Sequence, residues 1–224
     1  MSGRPRGRPR VVAIDGAAGV GKSTLAAGLA EALGLPYVNT GLMYRAVAAE
    51  ALRRGVPVDD AEGLAAIADA LAFRVAGPAP GRLEVEGWPE DRLRTVDVEA
   101  VVSAVAAHPA VRRRLRARQR AIGEERGAVM EGRDIGSVVF ADAPVKLFVT
   151  AEPEVRAARR AAERGRSAAP VGAALDRRDA RDARTNPLAP APDATVIDTT
   201  DRTIAETLHA ALEVVARAAP ELVP

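Results

Sequence analysis

The chain has 224 residues, of which 48% are hydrophobic and 28% charged, and its formal net charge is +2. This composition is typical of one globular domain with a sizeable core, and the absence of cysteine excludes a disulfide scaffold and a thiolate zinc site. No apolar run is long enough to span a membrane, and Asp15 interrupts the apolar stretch behind the basic first ten residues, so we expect a cytoplasmic protein without a secretory signal.

The first ten residues, MSGRPRGRPR, contain no apolar residue after Met1 and predict a disordered basic tail. Within the tail, PRGRP resembles the core of an AT-hook, a segment that lies in the minor groove of AT-rich DNA. Because solvated basic tails are common and a single hook binds weakly, we expect no obligate contact with nucleic acid.

A strand and a helix are predicted on either side of a glycine loop. RVVAID, which begins at Arg10, predicts a buried strand that runs directly into DGAAGVGKST at 15–24. The helix that follows carries Leu25, Leu29 and Leu33 on one face and ends at Gly34.

Strands continue to alternate with helices along the rest of the chain. Further strands are predicted for LPYVNT, GAVMEGRD, APVKLFVTA and ATVIDTT. Helices are predicted from Gly41 to about Arg54, over 97–126 with a break near Pro109, from near Pro153, and after a capping box at 203–206. This alternation predicts an α/β fold with a parallel five-stranded sheet that helices cover on both faces.

Two segments differ in character from this pattern. Residues 56–96 contain FRVAGPAPGRLEVEGWP, whose alternation and Gly and Pro turns predict a small hairpin in an insert. Residues 165–192 are polar and contain proline, which predicts a mobile segment.

The glycine loop matches G-x-x-x-x-G-K-[ST] in the strand–loop–helix context that this phosphate-binding motif requires. Its backbone amides would surround phosphate oxygens, Lys22 would reach the β and γ phosphates, and Ser23 would bind Mg²⁺ through its hydroxyl. The loop residues expected to hold ATP are Gly16, Ala17, Ala18, Gly19, Val20, Gly21, Lys22, Ser23 and Thr24. Lys22 is one of only two lysines among 32 basic residues, and a compact ammonium fits inside such a loop better than a planar guanidinium.

The loop alone leaves the class of enzyme open, since kinases, GTPases and motor ATPases all use it. The chain has no N-K-x-D guanine signature, and no apolar strand ends in a plain Asp-Glu pair. These absences count against a GTPase and a motor ATPase but do not decide the class. A small-molecule kinase, whose acceptor the loop does not identify, and an ATPase associated with nucleic acid through the basic tail and an arginine-rich helix both remain open.

Two further segments, YVNTGLMYRAVA at 37–48 and EGRDIGSVVFADAPVKLFVTA at 131–151, resemble bacterial cytidylate kinases together with the phosphate loop and RRDARD at 177–182. The resemblance covers nearly the whole chain after the tail, and TGxxYRA followed by GRDIG separates this family from adenylate, guanylate and shikimate kinases. It implies phosphorylation of CMP and dCMP by ATP with Mg²⁺, on a nucleoside monophosphate kinase fold that needs no partner and is expected to be monomeric.

The resemblance also implies an organisation and a set of site residues. We expect a kinase domain over 11–224, with a core at 11–58, 97–160 and 185–224, a nucleotide-binding insert at about 59–96 and a lid at about 161–184. The implied acceptor residues are Thr40, Arg45, Ser103, Arg112, Arg133, Asp134, Arg178, Asp182 and Arg184. Arg133, Arg178 and Arg184 are implied to act in catalysis with Lys22.

The chain departs from the family pattern at three places, one of which is the lid between Arg160 and Arg178, which is a few residues short. Asn39 stands where the family usually has an acidic residue, so no role is assigned to it. RTNPL after the lid pattern is shorter than the usual R-x-V-x-P-L, which leaves the position of Arg184 in the lid open.

Overall fold

The computed structural model describes residues 9–164, 167–185 and 187–224. Residues 1–8 of the basic tail, with most of the AT-hook-like segment, lie outside the described residues, as does Asn186 of RTNPL.

The strands form a single sheet. They are β1 (Val11–Gly16), β2 (Tyr37–Asn39), β3 (Phe73–Ala76), β4 (Arg82–Val85), β5 (Ala128–Gly132), β6 (Val145–Thr150) and β7 (Thr195–Asp198), in the spatial order β3-β4-β2-β5-β1-β6-β7. The five strands from β2 to β7 in this order pair in parallel, which confirms the predicted fold class.

The sheet has seven strands rather than the predicted five. The predicted hairpin forms β3 and β4, which pair antiparallel to each other. It joins the sheet because β4 pairs with β2 between Tyr37 and Arg82. The insert hairpin therefore covers an edge of the parallel sheet that would otherwise be open.

The helices lie at α1 (Lys22–Leu33), α2 (Thr40–Arg54), α3 (Ala61–Ala70), α4 (Val96–Ala107), α5 (Pro109–Arg126), α6 (Pro153–Arg164), α7 (Ala168–Thr185) and α8 (Ile204–Ala218). The predicted break near Pro109 is confirmed, because this proline opens α5, where its missing N–H costs nothing. The predicted capping box is also present, since Thr203 and Glu206 exchange bonds at the start of α8. No helix in the described part of the chain is both long and apolar enough to cross a membrane.

Helix α7 occupies most of residues 165–192, for which the polar composition predicted a mobile segment and no helix. Pro170 lies in its first turn, a position where proline removes no helical hydrogen bond. On the inner side of α7, Val171 and Leu175 pack with Ala161 of α6 in a small apolar cluster. These apolar contacts with α6 stabilise a helix that the polar composition of the segment did not predict.

The strand β1 shows why the sheet is covered on both faces. Val11 and Ala13 point into the apolar layer formed with α2, α3, α4 and α5, and Val12 and Ile14 point into the opposite layer with α1 and α8. All four side chains are fully buried. A strand with apolar residues at every position is typical of a central parallel strand. The chain leaves β1, β2 and β5 at the same edge, the carboxyl ends of the parallel strands, where ligands bind in such sheets.

Candidate functional site

The glycine loop between β1 and α1 is held open by backbone geometry. Gly16 has φ +148°, and a Cβ there would lie 2.2 Å from the carbonyl oxygen of Val149. Gly21 is the N-cap of α1 with φ +90°, a conformation that L-residues rarely adopt. These glycines let the backbone form a concave turn at the N-terminus of α1, where free N–H groups and the helix dipole favour an anion.

Lys22, the first residue of α1, crosses this loop. Its side chain is half-buried, and Nζ donates a hydrogen bond to the carbonyl oxygen of Ala17 inside the same loop. Loss of hydration and the nearby Arg133 guanidinium lower the pKa of Lys22 from 10.5 to about 7. The carboxylates of Glu131 and Asp15 oppose this shift. Because burial and Arg133 disfavour the charged form of Lys22, phosphate oxygens beside it would stabilise the ammonium.

Binding of MgATP at pH 8 is expected to take up a proton. With a pKa of about 7, Lys22 is largely neutral at pH 8 in the free protein, and phosphate oxygens placed against it would raise the pKa and charge it. Titration calorimetry in buffers of different ionisation enthalpy should give an uptake of close to one proton at pH 8 and much less at pH 6. A Lys146→Arg variant, altered at the second lysine, should behave like the original protein. Binding without uptake at pH 8 would contradict the assignment of Lys22 to the phosphates.

The loop forms one wall of a cavity at the carboxyl edge of the sheet, and the structure brings most of the predicted site residues to it. Those lining the cavity are Ala18, Gly19, Lys22, Ser23, Thr40, Arg45, Ser103, Arg112, Arg133, Asp134, Arg178 and Asp182. Five loop residues lie outside the described cavity lining: Gly16, Ala17, Val20, Gly21 and Thr24. Arg184, in the last turn of α7, is exposed and lies outside the described cavity lining.

Asp134 lines the cavity and is paired with two arginines of α5. Its Oδ2 accepts a hydrogen bond from Arg112 at 2.8 Å and from Nε of Arg116 at 3.1 Å. The two arginines are four residues apart and therefore share one helix face. The acid is buried, whereas Arg116 remains partly exposed. Part of the arginine run on α5 therefore contacts a residue of the cavity rather than solvent. The contact of Arg116 with Asp134 was not predicted from the sequence.

Arg45, which also lines the cavity, belongs to a second polar group. It is 6% exposed and lies 3.4 Å from Glu99 of α4, whose same oxygen accepts from Arg160 of α6 at 3.0 Å. Burial and the nearby Arg178 lower the pKa of Arg45 to about 10. Because burial and neighbouring guanidinium groups both disfavour its charged form, an added anion would be stabilised there. Arg160 and Glu99 carry no motif, so sequence reasoning did not find them.

Helix α7 places acidic residues against this arginine-rich wall. Asp182 lies 3.0 Å from Arg133 and accepts a hydrogen bond from Ser103 of α4, also at 3.0 Å. Asp179 pairs with Arg156 of α6 at 2.7 Å. In the structure α7 is therefore bound across the site to α4 and to the loop after β5.

Glu131, at the carboxyl end of β5, is the residue that the sequence analysis most clearly missed. It is 3% exposed, and its carboxylate accepts hydrogen bonds from Ser23 Oγ at 3.1 Å and from the hydroxyl of Tyr37. Its backbone carbonyl accepts from Thr40 Oγ1 at 2.7 Å. The signal in the sequence that could have identified Glu131 is an acidic residue at the end of an apolar strand, in VME. The carboxylate lies next to the hydroxyl predicted to bind Mg²⁺, and hard oxygen donors of this kind suit that ion.

The described residues contain no group of three or more His, Asp or Glu side chains that could hold a metal by themselves. A site of one hydroxyl and one carboxylate fits Mg²⁺ only together with substrate phosphates and water, which is how this ion is commonly bound in phosphoryl-transfer enzymes.

The sequence matches a protein-family model described as cytidylate kinase over residues 12–217. The cytidylate kinase of Solibacter usitatus is 45% identical over 217 residues, which cover 92% of this chain and 91% of that protein. That of Thermus thermophilus is 46% identical over 200 residues, covering 88% of this chain and 93% of the relative.

Longer proteins and solved structures also match. A bifunctional pantoate ligase/cytidylate kinase of a Synechococcus strain is 45% identical over 206 residues, which span 87% of this chain but 38% of that protein. An uncharacterised protein of Eubacterium ventriosum of solved structure has a TM-score of 0.50 at 14% identity, covering 92% of this chain and 98% of its own. At this identity the likeness concerns the fold alone.

Proposed function

Because this chain belongs to the cytidylate kinase family and is a phosphotransferase that acts on CMP, we propose that ATP and CMP meet in the cavity at the carboxyl edge of the sheet. The observation that supports this placement is that part of the phosphate loop and all implied acceptor residues except Arg184 line the same cavity. The products would be ADP and CDP, or dCDP when dCMP is the acceptor.

The donor half consists of the glycine loop with Lys22, Ser23 and Glu131. Loop amides and Lys22 would hold the β and γ phosphates of ATP. Ser23 and Glu131 would hold Mg²⁺ together with phosphate oxygens, and the bound ion supplies charge neutralisation at the transferred group. Tyr37 keeps the Glu131 carboxylate in place by donating to its other oxygen.

The acceptor half would hold CMP with its phosphate toward Lys22. Arg45 and Arg133 would bind the acceptor phosphate by charge-assisted hydrogen bonds. An oxygen of that phosphate attacks the γ phosphorus, and the bond from this phosphorus to the bridging oxygen of ADP breaks. No covalent protein intermediate is required, because phosphoryl transfer depends on in-line positioning and on stabilisation of the equatorial oxygens. Arg178 would contribute to that stabilisation.

The base would be read by Asp134, Arg112 and Ser103. Cytosine presents an amine donor beside ring-nitrogen and carbonyl acceptors, so its recognition needs both acceptors and donors. Asp134 supplies acceptors, Arg112 supplies donors and Ser103 supplies either. Thr40 would help to shape the same pocket.

Segments 59–96 and 161–184 are proposed to act as a nucleotide-binding insert and a lid around the core. The contacts of Asp182 with Ser103 and Arg133 support this role for α7, because they would bring lid and acceptor groups together and exclude water. Arg184 would join the site only if the end of α7 turned inward when substrates bind.

A coupled assay with MgATP and a panel of acceptors tests the proposed function. CMP and dCMP should be phosphorylated with kcat/KM well above that of UMP, AMP, GMP and metabolite alcohols. ATP hydrolysis without acceptor should be slow, because water is excluded from a closed site. Preference for another acceptor would favour a different small-molecule kinase, and hydrolysis stimulated by DNA or RNA would favour the ATPase alternative.

A further inference from the structure

Asp15, the next-to-last residue of β1, is buried beside the phosphate loop without facing the cavity. It is 7% exposed. Its Oδ1 accepts a hydrogen bond from the backbone N–H of Ile135, and its Oδ2 accepts one from the N–H of Gly136, both at 2.8 Å. The partners are 120 and 121 residues away in the chain, so only the tertiary fold creates this contact.

The chemistry of the contact requires a carboxylate. Two acceptor oxygens meet two amide donors, and each donor has its own oxygen. Burial raises the pKa of Asp15 to about 6, while the two amides oppose that rise. At pH 8 the group is therefore ionised and both oxygens accept. An asparagine would satisfy one amide and present its own N–H₂ to the other.

The amides that Asp15 binds directly follow two proposed acceptor residues, Arg133 and Asp134. The next residue of β1, Gly16, also contacts this segment, since its carbonyl accepts a hydrogen bond from Arg133 at 3.0 Å. The end of β1 thus binds residues 133–136 at three points immediately before it becomes the phosphate loop. Through these hydrogen bonds the proposed donor and acceptor halves are attached to the same end of β1.

We propose that Asp15 is a positioning residue that fixes the backbone carrying Arg133 and Asp134 relative to the phosphate loop, and so sets the preference for cytosine. The inference rests on the proposed roles of those two residues. Because the carboxylate contacts backbone amides and lies outside the described cavity lining, it would act through residues 133–136. The accuracy of base reading depends on such support, since small displacements of a polar group weaken its hydrogen bonds steeply.

The test compares the Asp15→Asn variant with the original protein at pH 8. We expect kcat/KM for CMP to fall by about tenfold or more, as for a buried hydrogen bond left unsatisfied. The KM for CMP should rise, the KM for ATP should stay within about twofold, and the ratio of kcat/KM for CMP over UMP should fall several-fold. A role in stability alone would lower the melting temperature without changing that ratio.

Asp193→Asn is the matched control. It makes the same chemical change in a carboxylate that binds Lys146, outside the cavity lining. It should leave the CMP-to-UMP ratio unchanged.

A measurement on the original protein keeps the proposal testable if Asp15→Asn does not fold. Hydrogen exchange resolved by residue should show the amides of Ile135 and Gly136 protected without any ligand. Fast exchange of both amides would overturn the proposal. The proposal would also be overturned if Asp15→Asn folds and lowers kcat/KM for CMP and for UMP by the same factor, or if it raises only the KM for ATP.

The outcome separates this inference from the proposed function. If Asp134→Ala leaves the CMP-to-UMP ratio unchanged, the assignment of the base-reading residues fails. If Asp134→Ala narrows the ratio and Asp15→Asn does not, the acceptor assignment stands and only the positioning role of Asp15 is wrong.

Discussion

Replacement of Lys22 by Ala is expected to lower kcat by about 10²-fold or more, equivalent to about 2.7 kcal/mol of transition-state stabilisation. The variant removes the ammonium that lies inside the phosphate loop, where Nζ now contacts the Ala17 carbonyl. Charge builds up on the oxygens of the transferred group, and no other lysine lies in the cavity lining over the described residues to compensate. Steady-state kinetics with saturating CMP and MgATP measures the effect.

Two further variants separate charge from shape at this position. Lys22→Arg keeps the positive charge but places a planar, bulkier group in the loop, so we expect it to be impaired as well. Lys146→Arg makes the same exchange at the other lysine, which binds Asp193 away from the cavity, and should retain activity. Near-normal turnover by Lys22→Ala would show that the glycine loop is not the donor site.

Replacement of Asp134 by Ala is expected to lower kcat/KM for CMP more than kcat/KM for UMP. The preference for CMP over UMP should narrow by about 1–3 kcal/mol, the range for a lost buried hydrogen bond. Cytosine offers an amine that needs an acceptor, whereas uracil offers a carbonyl at that position. Loss of the carboxylate also leaves Arg112 and Arg116 without the oxygen that both contact. The quantity to measure is kcat/KM for both nucleotides in both proteins.

Asp142→Ala provides the control for this experiment. Asp142 also pairs with an arginine of α5, Arg120, but neither residue lines the cavity in the part of the chain that the structure describes. Its removal should leave the CMP-to-UMP ratio unchanged. Equal losses for CMP and UMP in Asp134→Ala would place this carboxylate in the phosphate site or in the support of the fold.

Most strands and helices of the fold could be predicted from local sequence patterns. The apolar run of β1, the helix stop at Gly34 and the capping box at Thr203 each depend on neighbours within a few residues, so they can be predicted from sequence. Helix α7 was not predicted, because its polar composition hides the few apolar contacts that Val171 and Leu175 make with α6. The hairpin was predicted, but its attachment to β2 was not, since strand pairing across long separations leaves no local signal.

For the site, the sequence by itself identified the phosphate-binding motif with Lys22 and, through the family resemblance, most of the residues proposed to bind the acceptor, which the cavity brings together. These residues lie within short continuous motifs, so they can be recognised from the sequence. Only the tertiary structure decided which partners meet them: Glu131 beside Ser23, Glu99 between Arg45 and Arg160, and Asp15 on the amides after Asp134. These contacts join segments between about 50 and 120 residues apart. A single acidic residue in a sequence does not reveal such a partner, because the parallel strands must first place their carboxyl ends at one edge.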